Sequence, residues 1–145
     1  MTTTSKEISY FQLRLQELLN TSFPELAGNK EFIQQRSDLA ASIYEDAFIS
    51  GNPIERCNEI ANRILFEGLH FSKFDTVFQV VCNEFDTVMA DEELRPFALK
   101  MFPVCEKVFD AYELTDDFAY THDYDRLYTE LTGVIAIWIE ENGLQ

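Results

Sequence analysis

Hydrophobic residues recur three and four positions apart along most of the chain, which is the spacing of amphipathic α-helices. The first stripe follows Thr4 and Glu7, which are spaced as in a capping box, and the proline-containing segment 21–28 closes it. A second stripe covers about 29–50 and stops at Gly51, a typical residue after a helix end. The positions expected to face the core in these two helices are Ile8, Phe11, Leu15, Leu18, Phe32, Leu39, Ala40, Ile43, Tyr44, Ala47 and Phe48.

Two further stripes occupy the middle of the chain. Asn52 and Pro53 predict an N-cap followed by proline at the first helical position, where the missing N–H costs nothing. A fourth helix, which begins after Ser72, has the cleanest amphipathic pattern and should lie at the centre of the core. The inward positions are Ile54, Cys57, Ala61, Ile64 and Leu65 in the third helix and Phe74, Val77, Phe78, Val81, Cys82, Phe85 and Val88 in the fourth.

The last third of the chain predicts two more helices. The fifth covers about 91–112, and Pro103 should kink or split it, because proline removes a backbone donor and crowds the preceding turn. A linker over 113–123 leads to a sixth helix that Gly143 ends. The inward positions are Phe97, Met101, Val104, Cys105, Val108 and Phe109, then Tyr124, Leu127, Leu131, Val134, Ile135 and Trp138.

The run GLHFSKFD joins the third and fourth helices. We predict that Gly68 is the left-handed residue after the third helix, and that Leu69 contacts Ile64 as in a Schellman motif. Ser72 should cap the fourth helix with Asp75 at its third position. Capping therefore explains most of the joint, and the residues left without a structural role are His70, Phe71 and Lys73.

Length and composition fit one stable helical domain. The chain has 145 residues, of which 46% are hydrophobic, so it holds enough apolar material for a continuous core. We therefore expect an all-α, compact single-domain bundle of about six helices spanning 1–145. No apolar run approaches the ~20 residues of a membrane span, and the start MTTTSKEISY lacks the apolar core of a signal peptide. The expected location is the cytoplasm.

The charge narrows the range of partners. The net charge is −15, and it is uneven: residues 1–72 carry 6 basic and 10 acidic side chains (−4), whereas residues 73–145 carry 5 and 16 (−11). Direct binding to nucleic acid or to an anionic membrane needs a positive surface, so both are disfavoured. A protein partner with a basic surface, or no partner, is favoured instead.

The sequence shows few of the patterns that carry chemistry. Cys57, Cys82 and Cys105 are widely spaced and read as buried free thiols. Glu67 and His70 have the Glu-x-x-His spacing of di-iron bundles, but a second copy is absent, so no metal is expected. Phosphate-binding glycine loops and nucleophile motifs are also absent from the sequence, which predicts no cofactor and no catalytic residue.

The segment 115–125, TDDFAYTHDYD, concentrates acids and aromatic residues. One interpretation is that Thr115, Thr121 and Asp123 cap turns and helices. The other is a recognition surface, because aromatic rings beside carboxylates offer rigid contact area to a basic partner. Together with the joint, the residues of this possible partner surface are His70, Phe71, Lys73, Asp116, Asp117, Tyr120, His122, Asp123 and Tyr124.

The run GLHFSKFDTVFQVVCNEF, with the later DDFAY and LYTELTGVIAIWIEEN, resembles the family known as domain of unknown function 1896, small bacterial proteins typical of Bacteroidetes. The likeness covers most of the chain and is densest from about Ile60 to the end. It implies a helical fold without assigned catalytic residues. It also implies an association with conjugative transposons, and hence with mobile genetic elements.

We therefore expect a non-enzymatic accessory or regulatory protein that binds a protein partner, which is itself basic or DNA-binding. The alternative is an acidic decoy that mimics DNA and occupies a DNA-binding protein, and a further alternative is an enzyme or a metal-binding helical bundle. An exposed aromatic patch near Tyr120, Tyr124 and Tyr128 would favour protein recognition, whereas two rows of carboxylates at the phosphate spacing of a duplex would favour the decoy. Homo-oligomerisation is left open.

Overall fold

The structure is a computed structural model that describes the backbone of residues 5–144 and the side chains of residues 8–144. The described chain is all-α, as predicted, with seven α-helices, one 3-10 turn and no strand among these residues. It divides into two compact units, Met1–His70 and Phe71–Gln145. The organisation of 1–145 as one domain stays a prediction. The proposed capping box of Thr4 and Glu7 lies outside the described side chains.

The N-terminal unit is built around its longest helix. This helix, α3, packs against both α1 and α4, while the short α2 packs against α1. The core of the unit is formed by Phe11, Leu15, Leu19, Phe23, Ile33, Ala40, Ala41, Ala61 and Leu65. The helices are α1 (Ser5–Ser22), α2 (Pro24–Ala27), α3 (Lys30–Ile49) and α4 (Ile54–Leu65).

Some apolar residues predicted to be buried in this unit are exposed. Leu39 and Phe48 are 50% and 54% exposed, and Ile54 is also exposed. The buried face of α3 is instead formed mainly by small residues, including Ala40 and Ala41. Because α3 packs against a helix on each side, small side chains let its neighbours approach, and the large residues are displaced to solvent.

The turn between α3 and α4 contains a Schellman motif at Gly51, whereas the sequence analysis expected this motif at Gly68. Gly51 has φ +95°, its N–H donates to Phe48 O at 3.1 Å, and the Asn52 N–H donates to Ala47 O at 3.1 Å. Asn52 also donates its side-chain Nδ2 to Ala47 O, so it closes α3. The prediction that Asn52 caps α4 was wrong, because Pro53 occupies the N-cap position.

The C-terminal unit is a three-helix core in which each long helix packs against the other two. Its helices are α5 (Lys73–Glu84), α6 (Asp91–Phe109) and α7 (His122–Asn142), and a 3-10 turn (Phe118–Tyr120) precedes α7. The apolar core is formed by Phe74, Val77, Val80, Val81, Leu94, Ala98, Met101, Phe102, Cys105, Phe109, Phe118, Leu127, Leu131 and Ile135. The prediction that the face of α5 is central to a core is confirmed.

Two boundaries in this unit differ from the prediction. α5 ends at Glu84, so Val88 lies beyond it and is exposed. α6 continues through Pro96 and Pro103, so it is not split, and its degree of bending stays a prediction. Both prolines are exposed and seven residues apart, which places them on one solvent-facing side where water can bond to the carbonyls that lose a donor. Val104 is exposed on the same helix, contrary to prediction.

The joint between α4 and α5 is a tight turn followed by a capped helix. The C-cap of α4 is Phe66, so Gly68 lies one residue beyond the C′ position and the predicted Schellman motif there was wrong. Instead, the Leu69 N–H donates to Phe66 O at 2.9 Å, and Gly68 occupies the third position of this turn with φ +79°. The predicted cap of α5 is confirmed, because the Asp75 N–H donates to the Ser72 hydroxyl at 2.9 Å.

Replacing Gly68 by alanine is expected to lower the free energy of unfolding by about 1 kcal/mol, because an L-residue is strained at positive φ. An added Cβ would meet no atom within 4 Å, so crowding does not contribute. The matched control is Gly133→Ala in α7, which is expected to raise stability by about 0.5–1 kcal/mol, since alanine is the better helix former. Urea unfolding followed by circular dichroism measures both. Equal effects of the two variants would contradict this assignment.

Arg36 stabilises the same joint from α3. Its Nη1 donates to Ile64 O at 3.4 Å, Leu65 O at 3.2 Å and Glu67 O at 2.7 Å, which are carbonyls at and just beyond the C-terminal end of α4. A cation at this end of a helix is also favoured by the helix dipole. The side chain therefore ties the end of α4 to α3.

Arg36→Gln is expected to destabilise the protein by about 1–3 kcal/mol, because charge-assisted hydrogen bonds to these carbonyls are lost. Arg56→Gln is the control, since Arg56 makes only an exposed ion pair with Glu59 and should cost less than about 0.5 kcal/mol. Thermal unfolding of both variants gives the comparison. A smaller loss from Arg36→Gln than from Arg56→Gln would show that the cap does not stabilise the joint.

Candidate functional site

Two of the predicted partner-surface residues, Phe71 and Tyr124, pack around one aromatic ring of the C-terminal unit. Phe118 is buried, and the ring of Phe71 meets it edge to face at 5.3 Å. The rings of Tyr112 and Tyr124 lie 5.7 and 6.3 Å from it. Phe118 thus anchors the 3-10 turn, and the segment 116–124 is held beside the start of α5. We call the exposed part of this region, Asp116, Asp117, Tyr120, His122 and Asp123, the acidic aromatic surface.

Tyr120 is the most exposed large hydrophobic residue described, with 89% of its surface accessible. The turn that carries it is ordered by hydrogen bonds: the Tyr120 N–H donates to Asp117 O at 2.9 Å, and the Thr121 hydroxyl donates to Phe118 O at 2.7 Å. Its four surface neighbours, Asp116, Asp117, His122 and Asp123, are all exposed. A hydrogen-bonded turn therefore presents an exposed aromatic ring in a segment with several exposed acids.

The other tyrosines of this unit are held by the fold. Tyr124 donates to Gln79 Oε1 at 3.2 Å, Tyr128 donates to Glu84 Oε2 at 2.9 Å, and Tyr112 donates to Glu130. Burial raises the pKa of Tyr124 and of Tyr128, and the hydrogen bond to Glu130 raises the pKa of Tyr112. Only Tyr120, of the three tyrosines predicted to form an exposed patch, is fully exposed.

Phe71 and Lys73 have structural roles. The Phe71 ring is half-buried against Phe118, and Lys73 Nζ lies 5.8 Å from the centre of the Phe109 ring. They border the acidic aromatic surface and contribute little exposed area to it. His70 is exposed but belongs to the N-terminal unit. The sequence prediction therefore combined surface residues with packing residues.

The charge of the C-terminal unit is displayed outward. Its 16 acidic residues are all exposed. Several of its few cations lie over aromatic rings: Arg95 is 4.9 Å from the Phe74 ring centre, and Lys100 Nζ is 4.9 Å from that of Trp138. These cations are packed onto apolar groups, which shields apolar surface. The unit consequently has a strongly negative exterior.

The cysteines and the Glu67–His70 pair are the residues that the sequence offers for nucleophilic or metal chemistry. Cys57 and Cys105 are buried and Cys82 is half-buried, and all three are free. Burial raises the pKa of Cys105 to about 11, and burial together with Asp86 and Asp91 raises that of Cys82, so both thiols stay protonated near neutral pH. Glu67 and His70 lie beyond the end of α4, not on a helix face. Among the described side chains, no group of three or more potential metal ligands occurs.

His70 lines an open groove on the N-terminal unit. The groove has a volume of about 520 Å³ and lies between α1 and the turn after α4. Arg14 extends into it beside Phe66 and Leu69. The groove was not predicted from the sequence, because its lining comes from segments about 50 residues apart.

A membrane-spanning helix was also not found: among the described residues, every helix is too short or too polar to cross a bilayer.

Three residues that organise these sites were not predicted. Phe118, Arg36 and Arg14 all act through contacts with distant parts of the chain. The sequence contains one indication of the role of Phe118, since it is an aromatic residue within an acidic, polar loop. It contains no such indication for Arg14 and Arg36, because a charged residue on a helix is usually exposed.

The comparisons agree with the fold. The family model described as domain of unknown function 1896 matches residues 3–144. The crystal structure of protein PG0816 from Porphyromonas gingivalis is similar, with 43% identity, a TM-score of 0.84, and coverage of 97% of this chain and 95% of that one. No curated protein matches the chain. The chain belongs to the family of the domain of unknown function 1896.

Proposed function

We propose that the protein is a non-enzymatic accessory or regulatory protein, associated with mobile genetic elements, that acts by binding a basic protein partner through the acidic aromatic surface. The observation that carries the proposal is Tyr120, which is 89% exposed on an ordered turn. An aromatic side chain has few rotatable bonds, so it supplies contact area at low entropic cost. Such residues commonly act as anchors at interfaces.

The surroundings of Tyr120 favour a basic partner. Asp116, Asp117 and Asp123, which lie within four residues of it in the sequence, are exposed, and the rest of the unit adds further exposed carboxylates. Opposite charge across an interface accelerates encounter and suppresses unsuitable partners. An exposed tyrosine would supply affinity at the centre of such an interface, and the acids would supply selectivity at its rim.

Affinity capture from a bacterium that carries the protein tests this proposal. The tagged wild type is expected to retain a basic protein that elutes as salt rises from about 50 to 500 mM, because surface charges are screened. The control is the variant Ile137→Ala, which truncates an exposed residue on α7 outside the acidic aromatic surface. It should retain the same protein. Capture that is unaffected by salt, or of acidic proteins alone, would contradict the proposal.

The DNA-mimic decoy is the second candidate, and the observation that favours it is the exposure of all 16 acidic residues of the C-terminal unit. A decoy occupies the groove of a DNA-binding protein, so duplex DNA and this protein should compete for the captured partner. Competition measured by fluorescence anisotropy of labelled duplex distinguishes the two candidates. Displacement of the duplex would favour the decoy, whereas a ternary complex would favour an accessory role.

A further inference from the structure

The groove on the N-terminal unit is open to solvent and lined by both apolar and charged side chains. Its volume of about 520 Å³ falls within the usual range for small-ligand sites, ~300–1,000 Å³. Leu18, Phe66 and Leu69 give it an apolar lining, and Arg14 and His70 add nitrogen donors. All of these residues belong to the N-terminal unit, so the groove is formed within that unit.

Arg14 is preorganised inside this groove. Its guanidinium lies 5.7 Å from the Tyr10 ring centre and 5.4 Å from that of Phe66, and Nη1 donates to Asn62 Oδ1 at 2.8 Å. A guanidinium held in this way loses little side-chain entropy when it binds a ligand. Nη1 also lies 3.5 Å from the Tyr10 hydroxyl, so the contacts formed by the fold converge on this nitrogen. The Nη2 and Nε edge provides further donors.

The positive charge of Arg14 favours a ligand that carries a carboxylate. Among the described side chains, the ion pairs found are Arg56–Glu59 and Arg126–Asp123, and neither includes Arg14, although the carboxylate of Glu17 also lines the groove. Guanidinium groups bind carboxylates through paired hydrogen bonds. A polyanion would meet more repulsion from a chain with net charge −15 than a single carboxylate would.

We infer that this groove binds a small carboxylic acid with an apolar body, whose carboxylate pairs with Arg14 and whose apolar part covers Phe66 and Leu69. The carboxylate could belong to a free organic acid or to the C-terminus of a peptide that ends in an apolar residue. The groove belongs to the N-terminal unit, whereas the acidic aromatic surface belongs to the C-terminal unit. The inference is therefore independent of the proposed function.

Titration with 4-phenylbutyrate, followed by amide chemical shifts, tests the site. A probe of this size should bind with a Kd of about a millimolar and shift the Phe66, Leu69 and His70 amides saturably. Its uncharged analogue, 4-phenylbutyramide, should bind at least about tenfold more weakly, because it cannot form the ion pair. Acetyl-Ala-Ala-Phe as the acid, measured beside its C-terminal amide, distinguishes a peptide terminus from a free acid as the preferred source.

Arg14→Gln should weaken binding of 4-phenylbutyrate about tenfold, whereas the control Arg63→Gln, at an exposed position of α4, should leave it unchanged. The amide probe on the wild type gives the same test without a mutation, so the site stays testable even if Arg14→Gln folds poorly. The inference is overturned if neither acid shifts these amides saturably up to about ten times the expected Kd. It is also overturned if acid and amide bind equally.

Discussion

Replacing Val81 by aspartate is expected to unfold the C-terminal unit. Val81 has no exposed surface and lies in the core shared by α5, α6 and α7. An unpaired carboxylate there costs several kcal/mol in desolvation, in addition to the lost apolar contacts. This cost is comparable with the whole stability of a typical domain, about 5–15 kcal/mol. Loss of amide dispersion for residues 71–144 in NMR spectra would report the unfolding.

Val88→Asp is the matched control, since it makes the same substitution seven residues away at a position that is 51% exposed. Its effect on stability should stay within about 0.5 kcal/mol. The two valines read alike in the sequence, so the pair tests the end of α5 directly. A Val81→Asp protein with native-like dispersion would contradict the arrangement of the core.

Tyr120→Ala is expected to weaken binding of the captured partner by at least about 2 kcal/mol, or ~30-fold, because anchor residues carry most of an interface's affinity. The fold should be unaffected, since the side chain is exposed and Phe118 anchors the turn. Isothermal titration calorimetry with the purified partner measures the change.

Ile137→Ala is the control for this measurement, as it removes an exposed apolar side chain from another part of the same unit. Asp116→Asn combined with Asp123→Asn should mainly slow association and reduce its salt dependence, since rim charges act on encounter. An unchanged affinity for Tyr120→Ala, beside a folded protein, would remove Tyr120 from the interface.

Some features encoded by neighbouring residues were predicted correctly, whereas the Asn52 cap of α4 was not. The Ser72 cap of α5 and the apolar faces of α5 and α7 follow from short-range spacing, and the structure contains them. Two glycines, Gly51 and Gly68, show the limit of prediction from neighbouring residues. Gly51 and Gly68 both have positive φ, but the sequence did not show which of them follows a helix in a Schellman motif, because that depends on the residue at which each helix ends.

Features that depend on distant partners were not predicted. Leu39 and Phe48 have helical spacing with buried residues, yet α3 buries small residues because it packs between two helices. Phe71 was assigned to the possible partner surface, but its ring packs on Phe118, which is 47 positions later in the chain. Of the candidate surface residues, Asp116, Asp117, Asp123 and Tyr120 are exposed, and their role in binding stays a prediction; the buried Phe118 was not predicted.

Site-specific photo-crosslinking in living cells tests the central claim most directly. A photoreactive phenylalanine analogue at position 120 keeps an aromatic ring on the ordered turn, and the same analogue at position 137 serves as the control. We predict a discrete adduct with a basic protein from position 120 and none from position 137. The same adducts from both positions, or none from position 120 beside a folded protein, would contradict recognition through the acidic aromatic surface.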